Sequence, residues 1–126
     1  MNLILFIHKN SLQKGAVLQD AITNSYHDGN FQIYKTFNSL KVRLKKSFGD
    51  SRSEIVIILA ESRERLNQLT SLIDLMEGRR IILILPDESK QTLSRASQFF
   101  PRFFTTLKDN YDDLCKVISK MTDQTK

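Results

Sequence analysis

The polar residues that follow the apolar runs of this sequence carry the side chains best suited to chemistry. His8 and Lys9 follow the run LILFI, and Glu61 follows IVIILA. A histidine supplies a general acid or base near neutral pH, and a lysine supplies a positive charge for an anionic group. One interpretation is therefore a small-ligand or enzyme site in which His8 transfers protons and Lys9 or Lys108 binds an anion.

Other common chemistries lack the residues that they need. FMN would require a phosphate loop rich in glycine or hydroxyl groups after the first run, and HKNSLQKG offers only Asn10, Ser11 and a late glycine. A cysteine phosphatase places its thiol at a helix N-terminus, whereas Cys115 falls inside a helical pattern. His8 and His27 lie at opposite ends of the first strand–helix unit, which argues against a shared metal. We expect neither a cofactor nor a metal.

Five short apolar runs, each followed by a stretch with helical periodicity, must position these side chains. The first, third and fourth runs are apolar throughout, as expected for strands buried on both faces. The second run alternates between apolar and polar residues, which is typical of an edge strand, and the fifth contains Thr105 and Thr106. The runs are Leu3–Ile7, Phe31–Phe37, Ile55–Ala60, Ile81–Leu85 and Phe103–Leu107.

Strands that alternate with helices predict a parallel sheet with helices on both faces. With the second and fifth strands at the edges, the strand order becomes 2-1-3-4-5. This is an α/β fold, a flavodoxin-like (βα)5 sandwich formed as one domain over residues 1–126. Such sheets bind ligands outside the carboxyl ends of their strands. The residues that leave those ends define the predicted crevice: His8, Lys9, Asn38, Ala60, Glu61, Asp87 and Lys108.

Helix boundaries follow from capping and stop signals. Asn10 or Ser11 is expected to cap the first helix, and the HDGN segment at 27–30 to end it. Ser62 is expected to begin the third helix and Gly78 to end it. Asn110 is expected to cap the last helix.

The positive charge of the chain is concentrated in one segment. The formal net charge is +5, and residues 35–52 contain six basic residues and only Asp50 as an acid. On the second helix, Lys41, Arg43, Lys45 and Lys46 lie opposite the apolar stripe, and we call these four residues the basic patch. A solvated helix face is the simpler interpretation. The alternative is an electrostatic binder of nucleic acid, an anionic surface or an acidic partner.

Two stretches resemble the receiver domain of response regulators. ILFIHKN is similar to the receiver opening strand, which ends in an acidic pair that holds Mg²⁺, and TTLKDNYDDLCKVI is similar to the receiver end. Lys108 falls at the position of the lysine that ends the fifth receiver strand. His8 and Lys9 replace the acidic pair, and the phosphoacceptor position is occupied by Leu59 or Ala60.

Further departures from the receiver pattern affect the switch residues. Leu85 and Pro86 stand where a receiver has its hydroxyl, Asp109 replaces the proline after the lysine, and Thr105 stands at the aromatic switch position. Phosphoryl transfer needs a carboxylate nucleophile and a neutralising metal ion. The resemblance therefore implies a pseudo-receiver that is not phosphorylated. If His8 or Lys9 points inward, its charge replaces that of the metal, with Glu61 or Asp87 as partner.

The resemblance implies signalling or regulation through protein–protein interaction, without enzymatic activity. Receivers commonly use the face of the fourth and fifth strand–helix units, where this chain has QFFPRFF. The four phenylalanines of that stretch belong either to the core or to an interface with a protein partner or a second copy. No apolar run approaches the roughly 20 residues of a membrane span, so no membrane association is expected. The single Cys115 predicts a cytoplasmic protein.

Overall fold

Five parallel strands form a central sheet in the order β2-β1-β3-β4-β5, which confirms the predicted α/β, flavodoxin-like arrangement. The computed structural model describes residues 2–25, 30–46 and 54–123. The strands are β1 (Asn2–Phe6), β2 (Asn30–Tyr34), β3 (Glu54–Leu59), β4 (Arg80–Leu85) and β5 (Phe103–Thr106). The helices are α1 (Leu12–Ser25), α2 (Phe37–Lys45), α3 (Arg63–Leu69), α4 (Ile73–Met76), α5 (Lys90–Ser97) and α6 (Asp112–Asp123).

Both faces of the sheet are covered, because successive side chains of each strand point to opposite sides. Ile4 and Phe6 pack in the layer that contains residues of α2 through α5. Leu3 and Leu5 pack in the layer that contains residues of α1 and α6. β3 runs through the middle of the sheet with every residue buried. This two-sided burial explains why the central strands are apolar without alternation.

β2 is shorter than predicted and ends at Tyr34 instead of Phe37. A capping box begins α2: Ser39 N donates to Thr36 Oγ1 at 3.1 Å, and Thr36 N donates to Ser39 Oγ at 3.3 Å. Phe37 is therefore the first residue of α2. It packs in the layer opposite to that of Ile33, although alternation along the sequence placed both on one face.

Two of the predicted helix boundaries, at Ser62 and Gly78, are confirmed. Ser62 Oγ accepts from Arg65 N at 3.1 Å. Asn110 lies one residue before the cap position of α6, although its Oδ1 accepts from Asp112 N, at the first residue of the helix, at 3.1 Å. Gly78 has a φ of 85° and follows α4. The third predicted helix is not continuous, because a 3-10 turn (Thr70–Leu72) separates α3 from α4.

The first helix begins differently from the prediction. A 3-10 turn (Lys9–Ser11) precedes α1, and His8 caps this turn in place of Asn10 or Ser11. Residues 27–29 of HDGN, the predicted end of this helix, lie outside the described residues. None of the described helices combines the length and the apolar character needed to cross a bilayer.

Candidate functional site at the carboxyl ends of the strands

His8 follows β1 and is turned toward the protein interior. Only 9% of the residue is exposed, and the centroid of its ring lies 6.4 Å from that of the Phe6 ring. Its Nδ1 accepts a hydrogen bond from Asn10 N at 3.1 Å, so the proton of the neutral ring lies on Nε2. Burial, and then the positive charge of Arg65, lower the pKa of His8 below its ordinary value. His8 is therefore neutral at pH 7.

Glu61 and Arg65 form an ion pair beside His8. Arg65 Nε donates to Glu61 Oε1 at 2.7 Å, and Arg65 Nη1 donates to Gln68 Oε1 at 2.6 Å. The pair forms because Ser62 caps α3 immediately after β3, which places Arg65 one helical turn beyond Glu61. Both side chains are mostly buried, at 16% and 17% exposure. The carboxylate of Glu61 thus already has a cationic partner within the chain.

Asp87 holds the start of α5. Its Oδ1 accepts from Ser89 N at 2.9 Å. Hydrogen bonds from Thr92 and then from Ser89 lower the pKa of Asp87 to about 2. Ser89 in turn caps α5, since its Oγ accepts from Thr92 N at 3.3 Å. Asp87 is therefore ionised at neutral pH and is bound by donors of its own segment.

The remaining crevice residues differ in their exposure. Lys9, Asn38 and Lys108 are exposed, whereas Ala60 is fully buried and its N donates to Ile84 O at 2.9 Å. Lys9 is anchored through its backbone, which donates to Lys35 O at 2.9 Å. The turn that carries Lys108 is held by Asp109, whose Oδ2 accepts from Thr106 N at 3.2 Å and from Thr105 Oγ1.

The predicted inward charge is supplied by a different residue. Lys9 points to solvent and His8 is neutral, so neither gives the crevice a buried cation. Arg65 supplies that cation instead. Arg65 was not among the predicted site residues, although its spacing of four residues from Glu61, across the Ser62 cap, is typical of a local ion pair.

The crevice offers little to a divalent cation. Of its two predicted carboxylates, Glu61 is paired with Arg65, and Asp87 accepts a hydrogen bond from Ser89 N, the residue that caps α5. In the three described ranges, no group of three histidine, cysteine, aspartate or glutamate side chains is placed to hold a metal ion. What the geometry brings together is a neutral histidine beside an internal Glu–Arg pair, an arrangement that fixes the loops after β1 and β3.

Comparison with known proteins gives no family: neither a protein-family model nor a curated protein sequence matches this chain. The remaining candidates for function are the exposed surfaces that the sequence singled out.

The basic patch is smaller than predicted, because Arg43 is not on its surface. Lys45 and Lys46 are exposed and Lys41 is half-buried, but Arg43 is only 7% exposed. Its guanidinium pairs with the carboxylate of the fully buried Glu54. The exposed part of the patch, which we call the lysine face, is therefore Lys41, Lys45 and Lys46.

The phenylalanines of QFFPRFF divide between core and surface. Phe99 is buried and Phe103 packs partly on the α1–α6 layer, whereas Phe100 is 85% exposed and Phe104 is 46% exposed. Leu93 of α5 is 36% exposed. We call Leu93, Phe100 and Phe104 the aromatic face.

Helical geometry determines the direction of Leu93 relative to α3. Gln91 and Arg95 line a cavity between α5 and α3. Leu93 lies two positions from each of them, about 200° around the helix. It therefore points away from α3, toward the edge of the sheet formed by β5.

Proposed function

We propose that this chain is a phosphorylation-independent, receiver-like domain that acts in signalling or regulation through contacts with protein. The observation that carries the proposal is the aromatic face, on which Phe100 is 85% and Phe104 46% exposed. Burial of one phenyl ring in an interface is worth about 1.5–3 kcal/mol. Large exposed apolar patches mark sites of interaction on protein surfaces.

The crevice supports the absence of a phosphorylation switch. His8 and Lys9 stand where a receiver carries its metal-binding acids, and the buried Ala60 stands at or beside the phosphoacceptor position. The acidic side chain that follows, Glu61, is bound by Arg65. A nucleophilic carboxylate would have to be released from this pair before it could attack a phosphoryl group. We accordingly propose no enzymatic activity, and a cytoplasmic location on the basis of the lone Cys115.

Sedimentation velocity over a range of protein concentrations tests the aromatic face. We expect the wild-type chain to self-associate, or to form a defined complex with its partner, and the Phe100→Ser/Phe104→Ser double variant to lose this behaviour. The matched control is Leu12→Ser/Val17→Ser, which removes two exposed apolar side chains of α1. This control should leave association unchanged.

A photo-crosslinking phenylalanine analogue at position 100 tests whether the aromatic face binds a different protein instead of a second copy of the chain. It should form one discrete adduct in the native host, and the same analogue at position 17 should form none. A chain that stays monomeric at all concentrations and gives no adduct specific to position 100 would overturn the proposal.

A further inference from the structure

The edge of the sheet at β2 carries a cationic groove that the crevice and the aromatic face do not involve. The groove has a volume of about 610 Å³ and runs along α2, with Tyr34 of β2 at one end and Lys46 at the other. The lysine face lines it, together with Val42, which is 55% exposed. In the strand order, β2 forms an outer edge of the sheet.

The lysines of this groove have no neutralising partners in the described structure. Residues 30–46 contain no aspartate or glutamate. Within residues 2–25, 30–46 and 54–123, no carboxylate forms an ion pair with Lys41, Lys45 or Lys46. Glu54, which lies near the end of α2, forms ion pairs with Arg43 and Arg79. The groove therefore presents a local positive potential to an incoming ligand.

The groove is also fixed in position. Arg79 Nη2 donates to Lys46 O at 3.1 Å, and the capping box at Thr36 holds the other end of α2. Tyr34 packs against the core, and its hydroxyl donates to Gln32 Oε1 at 2.7 Å. A ligand thus meets a preformed surface, which lowers the entropic cost of binding.

We propose that this groove binds an acidic, extended segment of a protein partner. The lysines would form ion pairs with the carboxylates of this segment. Val42 would contact an apolar side chain that lies between those carboxylates. The outer edge of β2 would offer main-chain groups for strand addition.

Nucleic acid fits this surface less well than an acidic peptide. Phosphate recognition favours the bidentate guanidinium of arginine, and the only arginine of α2 is turned inward to Glu54. Binding of single strands favours exposed aromatic rings for base stacking, whereas Tyr34 is packed on the core and hydrogen-bonded to its neighbour. Over nine residues, α2 is about 13 Å long, so three lysines can meet only a few phosphates.

Fluorescence anisotropy with a labelled twelve-residue peptide of alternating aspartate and threonine tests the proposal. The comparison probes are the same peptide with asparagine in place of aspartate, and single-stranded (dT)12. At physiological salt, the acidic peptide should bind at least tenfold more tightly than either comparison probe. The Lys41→Glu/Lys45→Glu/Lys46→Glu variant should weaken this binding at least tenfold.

A matched charge reversal separates the groove from the overall charge of the chain. Lys14, Lys116 and Lys120 are exposed lysines of α1 and α6, and their replacement by glutamate lowers the net charge equally. This control variant should bind the acidic peptide within about twofold of wild type. The proposal is overturned if the acidic peptide does not bind, if (dT)12 binds as tightly, or if both triple variants lose binding alike. It does not depend on the aromatic face, whose sedimentation test should be unaffected by the lysine substitutions.

Discussion

Arg79 Nε donates to Glu54 Oε1 at 2.9 Å, and the same carboxylate is also held by Arg43 on its other oxygen. Glu54 begins β3 at the amino end of the sheet and is only 1% exposed. Arg79 further donates to Leu75 O at 2.6 Å, so one buried cluster ties the end of α4 to the first residue of β3.

Removal of the central carboxylate should strongly destabilise the fold. Glu54→Gln removes the carboxylate charge that pairs with two buried guanidinium groups, and breaking a buried ion pair from one side costs about 3–5 kcal/mol. Urea unfolding should show this loss, whereas Glu64→Gln on the exposed face of α3 should change the unfolding free energy by less than about 0.5 kcal/mol. A loss below about 1 kcal/mol for Glu54→Gln would contradict the clamping role.

His8 should make the fold less stable in mild acid. Burial lowers the pKa of His8 in the folded state below its ordinary value of 6.5, so the unfolded chain binds the proton more readily. The contribution of His8 to stability is complete above about pH 6.5 and is lost as the pH falls through the lower, folded-state pKa.

Urea midpoints of wild type and His8→Gln between pH 7.5 and 5 measure this effect. The wild type should lose more stability over that range than His8→Gln. An NMR titration that gave the ring of His8 a pKa above 6.5 would refute the prediction.

Asp87 should titrate far below an ordinary aspartate. Its pKa of about 2 results mainly from the hydrogen bond with Thr92 and then from those with Ser89. The stabilisation from this carboxylate is present above about pH 4 and is lost as the pH falls through about 2. Carboxyl carbon NMR should show the low pKa, and Thr92→Val should raise it toward 3.8. Ser94→Ala, a substitution on the exposed side of α5, should leave the pKa of Asp87 unchanged.

Mg²⁺ with beryllofluoride, a mimic of the phosphoaspartate, should leave the melting temperature unchanged. Glu61, the acidic side chain that follows Ala60, is paired with Arg65, and the positive charges of Lys9 and Arg65 disfavour a divalent cation. Differential scanning fluorimetry gives the measurement, with a phosphorylatable receiver domain as the positive control. A stabilisation that requires both reagents would refute the phosphorylation-independent function.

The backbone conformation of Phe100 should lower the folding stability of the unbound chain. Its φ of 49° lies in the left-handed region, which is unfavourable by about 1–2 kcal/mol for residues with a Cβ atom. Phe100→Gly relieves this cost but adds about 0.4–1 kcal/mol of chain entropy to the unfolded state. The net result should be a gain of about 0.5–1 kcal/mol in chemical unfolding.

Phe100→Ala provides the comparison, because alanine keeps the Cβ atom and should give no gain. Equal stabilities of the glycine and alanine variants would show that the backbone is not strained at this position.

The central fold could be predicted because burial of a strand on both faces leaves a direct trace in the sequence. IVIILA and IILIL have the composition of inner strands, and the polar residues of the second and fifth runs placed those two strands at the edges, which gave the strand order. The end of β2 was predicted incorrectly because alternation continued past Tyr34, while the Thr36–Ser39 capping box decided the local structure.

The burial of Arg43 could not be read from helical periodicity. Its position in the sequence resembles that of the neighbouring lysines, and its burial depends on Glu54, eleven residues later. That carboxylate is also shared with Arg79, a further 25 residues on, and nothing local signals either contact. The pair of Glu61 and Arg65, by contrast, is local: the two residues lie four positions apart across the start of α3, a signal in the sequence from which the pair was not predicted.

The strand order 2-1-3-4-5 has a geometric consequence for assembly. β2, which borders the lysine face, and β5, which borders the aromatic face, lie at opposite edges of the sheet, about 19 Å apart at the usual strand spacing. An occupant of one edge would not block the other. If both proposed surfaces bind partners, the two partners would lie on opposite sides of the sheet and could be bound at the same time.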